Sequence, residues 1–221
     1  QEDERPDARR GHLATISRPA RGWPSRAGCG WIAGMTSGPV LVTGAAGFIG
    51  HHVVRLLAAE GRSVRAVLRP GEDPRNLAGV DPALVERVEA DVLDAPRVRA
   101  ITRGCAAVYH LAAIYRTWVP DPRALYDVNV TGTANVLAAA VEAGIPKVVY
   151  TSSIAAIGVR DDGTPSDEAT PFNLWGRSFD YVRSKYLAEQ VARSFAPLVD
   201  VSIVNPGMPL GPGDIGPTPI G

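Results

Sequence analysis

Between Val40 and Gly50 the chain reads Val-Leu-Val-Thr-Gly-Ala-Ala-Gly-Phe-Ile-Gly. An apolar run ends in three glycines spaced three apart (Gly44, Gly47, Gly50), and an amphipathic segment follows at once. A strand, a tight turn and a helix N-terminus in that order aim backbone N–H groups and a positive dipole end at an anion. In this reading Gly44 permits the sharp turn, Gly47 lets a pyrophosphate come near the backbone, and Gly50 lets the helix pack against the strand. Glycine also marks ordinary turns, so the placement between a strand pattern and a helix pattern is what points to a dinucleotide.

Downstream of Pro39 strand-like and helix-like segments alternate. Strands are expected near 39–43, 63–68, 85–90, 106–111, 147–151 and 201–205. Helices are expected over 48–59, from 95 to 103, over 122–143 and over 180–195. In the first helix Ile49, Val53, Leu56 and Leu57 fall on one face by helical spacing. Gly61 ends that helix, and Gly144 with Pro146 ends the long one. The alternation predicts an α/β fold, a doubly wound parallel sheet with helices on both faces.

Residues 1–34 differ. They carry six arginines among Pro and Gly, with no sustained apolar period, and read as a disordered leader or upstream extension; residues 35–221 read as the nucleotide-binding domain. The stretch 207–221, with five Gly and four Pro, builds nothing regular. A net charge of zero gives no reason to expect nucleic acid as a partner. No apolar run reaches the roughly 18 residues of a spanning helix, so no integral membrane segment is expected. Cys29 and Cys105 lack metal-like spacing and suit a reducing cytoplasm. No metal constellation is visible; His51 and His52 face the wrong way to bind one as a pair.

Arg69 stands at the end of the second strand, where an adenosine ribose would arrive. That position holds no acid, and an arginine accommodates a 2′-phosphate, so NADP is favoured over NAD. Tyr181 and Lys185 are four apart on a predicted helix, hence on one face. A nearby ammonium, together with the positive charge of an oxidised nicotinamide, favours phenolate and would lower the tyrosine pKa. Of 23 basic residues only Lys147 and Lys185 are lysine, which suggests that the second meets a need arginine cannot. Hydroxyls in Tyr150-Thr-Ser-Ser-Ile154 close the fifth strand, where open α/β sheets bind ligands. Tyr115, Tyr126, Tyr150 and Tyr186 have no such partner and read as packing residues. His110 reads as a satisfied core histidine.

Taken together, Thr43–Gly50, Asp91-Val92, His110–Ala113, Asn129–Thr133, Thr151–Ser153, Tyr181–Lys185 and Asn205-Pro206 resemble the extended short-chain dehydrogenases/reductases. Within them the chain is similar to the NAD-dependent epimerase/dehydratase group. The finer likeness is to hopanoid-associated sugar epimerases, which neighbour dihydroflavonol reductases; Tyr115-Arg116, Pro120–Pro122, Asp162–Pro165 and 211–221 carry it. The resemblance implies a Rossmann-type fold, with Ser153, Tyr181 and Lys185 catalytic and Lys185 also on the nicotinamide ribose. It implies that Gly44, Gly47, Phe48 and Ile49 meet the pyrophosphate and that Asp91 and Val92 contact adenine. Leu111, Ala112 and Ala113 would line the cofactor path, Pro206 would lie beside the nicotinamide, and Asn129 would be a structural or water-relay residue. Ile114 and Gly207-Met208 depart from the residues common in close relatives. The family continues into a substrate-binding C-terminal part, most of which this chain is expected to lack.

The function implied is an NAD(P)-dependent sugar epimerase acting on a small-molecule substrate, a nucleotide-sugar or hopanoid-linked sugar. The alternatives are an NADPH-dependent ketone or aldehyde reductase and a non-catalytic NADP-binding sensor. A homodimer through the 122–143 and Tyr181 helices, in the cytoplasm, completes the expectation.

Overall fold

The structure, a computed structural model, describes residues 38–215 of the 221-residue chain. The expectations for residues 1–34 and 216–221, Cys29 included, lie outside the described residues.

Six strands form one parallel sheet in the order β3-β2-β1-β4-β5-β6. They are β1 (Val40–Thr43), β2 (Val64–Leu68), β3 (Val85–Glu89), β4 (Ala107–His110), β5 (Lys147–Thr151) and β6 (Asp200–Val204). Each matches an expected strand within one residue at either end. Because the order reverses between β1 and β4, the C-terminal ends of these two strands open a crevice, where doubly wound sheets bind ligands. Thr43 and His110 pair across that point.

Every residue of β1 is buried, and its side chains alternate between two cores. Val40 and Val42 pack with Val54 and Leu57 of helix α1 (Phe48–Ala59). Leu41 joins the opposite core with α2 (Ala95–Thr102), α4 (Gly132–Glu142) and α5 (Asp180–Ser194). Burial on both faces is what an internal parallel strand requires.

Two helix expectations are corrected. The buried face of α1 carries Gly50, His51, Val54 and Leu57, whereas Leu56 is 62% exposed. Gly50 must face the strand for the turn to close, and that rotates the helix away from the stripe the apolar spacing suggested. The expected helix over 122–143 is interrupted: α3 (Arg123–Tyr126) runs into a π-helical segment, Asp127–Thr131, before α4. The cause is Asn129. Its Nδ2 donates to Ser184 Oγ at 2.9 Å and to Ile114 O at 3.2 Å, while its Oδ1 accepts Ile114 N–H at 2.8 Å. Those tertiary bonds hold one widened turn in place, a recurrent feature near functional sites. Both amide atoms of Asn129 are thus engaged by the protein.

Candidate active site at the switch point

The glycine turn is built as its spacing demands. Gly44 has φ +65°, and a Cβ there would come within 2.9 Å of Ala112 N. A Cβ on Gly47 would sit 3.2 Å from Gly44 O, and one on Gly50 would sit 2.0 Å from it, inside any allowed contact. Gly47 caps α1 with no side-chain hydrogen bond, and no acid stands in the first turn. The end of α1 is therefore a cradle of free backbone N–H groups, as an anion requires. A pyrophosphate fits it.

From this turn a cleft of about 560 Å³ runs along the strand ends. The residues expected to bind the cofactor or take part in catalysis all line it, and Asn129 does not. Gly44, Gly47, Phe48 and Ile49 form one end, with Arg69, Asp91 and Val92 beside them. Leu111, Ala112 and Ala113 follow, then Ser153, Tyr181, Lys185 and Pro206. The Asn129–Thr133 stretch shapes the wall from behind. Gly132 leaves room for Val92, whose Cγ2 would be 2.6 Å from a Cβ there, and Asn135 Nδ2 bonds Val92 O at 2.9 Å.

Glu72, which the sequence reading passed over, also lines the cleft. Its carboxylate accepts Arg69 N–H at 2.8 Å across a turn through Gly71. An acid does stand in the cleft just beyond β2, three residues after Arg69. A Pro-Gly pair after a strand was the signal that the chain folds back there.

At the other end Tyr181 and Lys185 both point into the cleft, and both are buried. The Tyr181 ring packs on Tyr115 at 5.1 Å between centroids. Burial pushes the Tyr181 hydroxyl above the usual tyrosine pKa, and the neighbouring Ser153 hydroxyl pulls it part of the way back. Lys185 is not among the groups that shift it in the protein alone. The Lys185 ammonium lies elsewhere, donating to Tyr150 OH at 3.2 Å and to Thr151 O at 3.0 Å. Burial draws its pKa down to about 8, opposed by Glu189.

Tyr150 is thus more than packing. Its ring lies 5.7 Å from that of His110, and its hydroxyl receives the lysine. Burial drives its pKa far above the ordinary value. Tyr126 donates to Asp180 at 2.7 Å and Tyr186 stacks on Phe172, both away from the chemistry. His110 is satisfied between Thr43 Oγ1 at 2.7 Å and Thr133 Oγ1 at 3.0 Å. Thr133 gives its own proton to Asn129 O, so it accepts from His110 Nε2–H, which leaves Nδ1 as acceptor from Thr43. Complete burial and the Lys185 charge hold this neutral ring at a pKa of about 3.

Ser153 Oγ accepts Ala155 N–H at 3.1 Å, and its hydroxyl neighbours that of Tyr181. The His51 and His52 rings lie against each other at 3.8 Å rather than diverging, but their nitrogens bond Gly47 O and Pro212 O. Among the described residues no group of three potential ligands could hold a metal, and no helix is long and apolar enough to cross a membrane.

A doubly wound parallel sheet with a phosphate cradle and a Tyr–Lys pair at its switch point defines a dinucleotide-binding enzyme of the short-chain dehydrogenase/reductase type. The chain belongs to the NAD-dependent epimerase/dehydratase family, whose model matches residues 40–219. It is 43% identical over 192 residues to a Synechocystis sp. protein provisionally named dihydroflavonol 4-reductase, covering 86% of this chain and 54% of that one. Among solved structures, gox2253 is 42% identical with a TM-score of 0.76, over 82% of this chain and 55% of the other. DesIV, a dTDP-glucose 4,6-dehydratase from Streptomyces venezuelae with NAD bound, is 31% identical with a TM-score of 0.65, over 75% and 54%. The chain spans about half the length of the curated relatives it matches.

Proposed function

We propose that the chain carries the cofactor-binding and proton-transfer half of an NADP-preferring carbonyl reductase. The observation that carries this reading is the joining of the glycine turn, Arg69, Ser153, Tyr181 and Lys185 along one cleft. A nicotinamide cofactor, when bound, supplies or accepts the hydride at its ring carbon. Ser153 donates a hydrogen bond to the substrate oxygen and orients it. Tyr181 gives that oxygen its proton as the carbonyl becomes a carbinol, and takes it back in the reverse direction. Lys185, as an ammonium, favours the phenolate left on Tyr181. Arg69 meets a 2′-phosphate, and Asp91 and Val92 flank the adenine.

The substrate end favours reduction of an apolar carbonyl compound. Ile114, Tyr115, Ile154, Phe179 and Met208 line it. The reductase assignment of the Synechocystis relative agrees. Sugar epimerisation is the second reading, favoured by the family description and by the likeness to a nucleotide-sugar dehydratase. There Tyr181 would take a hydroxyl proton as hydride leaves, and the ketone would be reduced again on its other face. A homodimer in the cytoplasm accompanies either reading.

Turnover with NADPH deuterated at the transferred position separates the two. Net NADPH consumption with deuterium in the product supports the reductase. With NADP⁺ and a nucleotide-sugar supplied instead, an inverted product with no net change in the cofactor supports the epimerase. NADPH binding with neither outcome, across ketones, aldehydes and nucleotide-sugars, leaves the sensor.

A further inference from the structure

Beyond Lys185 the same face of α5 continues with Glu189 and Arg193, each four residues on. Glu189 is 4% exposed, and both its oxygens are engaged. Oε2 accepts from Ser152 Oγ at 2.6 Å and from Asn205 Nδ2 at 2.8 Å. Oε1 accepts from Arg193 Nε at 3.0 Å and Nη2 at 2.7 Å. Asn205 Nδ2 also donates to Ser153 O at 3.0 Å. One carboxylate therefore ties the end of β5, the end of β6 and α5 together at the level of Ser153 and Pro206.

Burying an ion costs several kcal/mol, and a packed apolar residue often serves stability as well, so a buried carboxylate invites a use for its charge. Lys185 supplies one. It is 3% exposed, and its ammonium meets only neutral acceptors, Tyr150 OH and Thr151 O. No carboxylate touches it. The other titratable groups around it are Tyr150 from β5 and neutral His110 from β4, with Tyr181 one turn back along α5 in the same cleft; Arg193 faces Glu189.

We infer that Glu189 is a positioning residue for the reaction centre: it sets a negative charge one helical turn from the Lys185 ammonium on the same buried face of α5, and its bonds to Ser152 and Asn205 hold Ser153 and Pro206 at the cleft. The inference rests on the hydride-transfer reading, which needs a charged Lys185. Glu189 also opposes the burial that pulls the lysine down to about 8.

The chain has only two lysines, so labelling lysine with ¹³C at Cε gives two resonances to titrate, and Lys147→Arg assigns them. In Glu189→Gln, which keeps the size and one of the two acceptor oxygens, the Lys185 midpoint is expected to fall by about one pH unit. In Glu189→Asp it is expected to recover most of that shift. Arg193→Met removes the half-exposed guanidinium that offsets Glu189, and is expected to raise the midpoint by about half a unit. A Lys185 midpoint in Glu189→Gln within about 0.2 units of wild type overturns the inference. Where that variant does not fold, an unmoved midpoint in Arg193→Met overturns it. No substrate enters this titration, so it can fail while the Tyr181 chemistry stands, and the reverse.

Discussion

The Lys185 ammonium donates to the Tyr150 hydroxyl at 3.2 Å, across from β5 to α5. A buried cation with two neutral partners depends on both. Tyr150→Phe removes one without opening a cavity, and a hydrogen bond to a charged group contributes about 1.5–3 kcal/mol. Denaturant unfolding at neutral pH should register a loss of that size. A variant as stable as wild type would mean that the ammonium finds another acceptor.

His110 should make the protein acid-sensitive well above the carboxylate range. Its folded pKa is about 3, against 6.5 in the unfolded chain. Between those values the unfolded state binds the extra proton, so the stability is present above 6.5 and is lost as pH falls towards 3. From pH 7 to 4.5 the loss should be on the order of 2–3 kcal/mol. Urea unfolding at the two pH values measures it, and His110→Gln should remove most of the difference. An equal pH dependence in both proteins would place the sensitivity elsewhere.

Arg69 and Glu72 present opposite charges at the ribose end. Arg69→Ala should weaken NADPH binding by roughly 10- to 100-fold, the worth of a charge-assisted contact, and leave NADH nearly unchanged. Glu72→Gln should improve NADPH and weaken NADH, because the carboxylate repels a 2′-phosphate and accepts a 2′-hydroxyl. Dissociation constants from fluorescence titration decide it. An Arg69→Ala protein that loses both cofactors equally would remove Arg69 as the discriminator.

Gly50→Ala should abolish dinucleotide binding, since its Cβ would lie 2.0 Å from Gly44 O. Gly61→Ala strains a positive φ, unlike Gly50→Ala, but meets nothing within 4 Å, and should leave binding intact at some cost in stability. Equal binding by both variants would show that the turn tolerates what its geometry forbids.

Local pattern carried much of this site because much of it is local. The glycine spacing, the strand alternation and the Tyr181–Lys185 interval each report on neighbours within one turn or one strand. The strand order does not; it depends on which β-strands pair, and no short window contains that. The Leu56 error has the same origin, since the need of Gly50 to face β1 outweighed the apolar spacing. The π-helical turn at Asn129 follows from bonds to Ile114 and Ser184, which are distant in sequence. Glu189 sits four after Lys185 and shares its face, so its spacing was visible, but its partners Ser152 and Asn205 were not. Glu72 was missed because a turn brings it back to Arg69.

The central claim is that Tyr181 is the proton donor for a hydride transfer carried out in this cleft. Tyr181→Phe keeps the ring on Tyr115 and removes only the hydroxyl. NADPH oxidation with a carbonyl substrate, followed at 340 nm for wild type and variant, tests it most directly. A general acid contributes about 10²- to 10⁴-fold, so the variant should be slower by at least about 100-fold while binding NADPH as wild type does. Turnover in Tyr181→Phe equal to wild type would contradict the account.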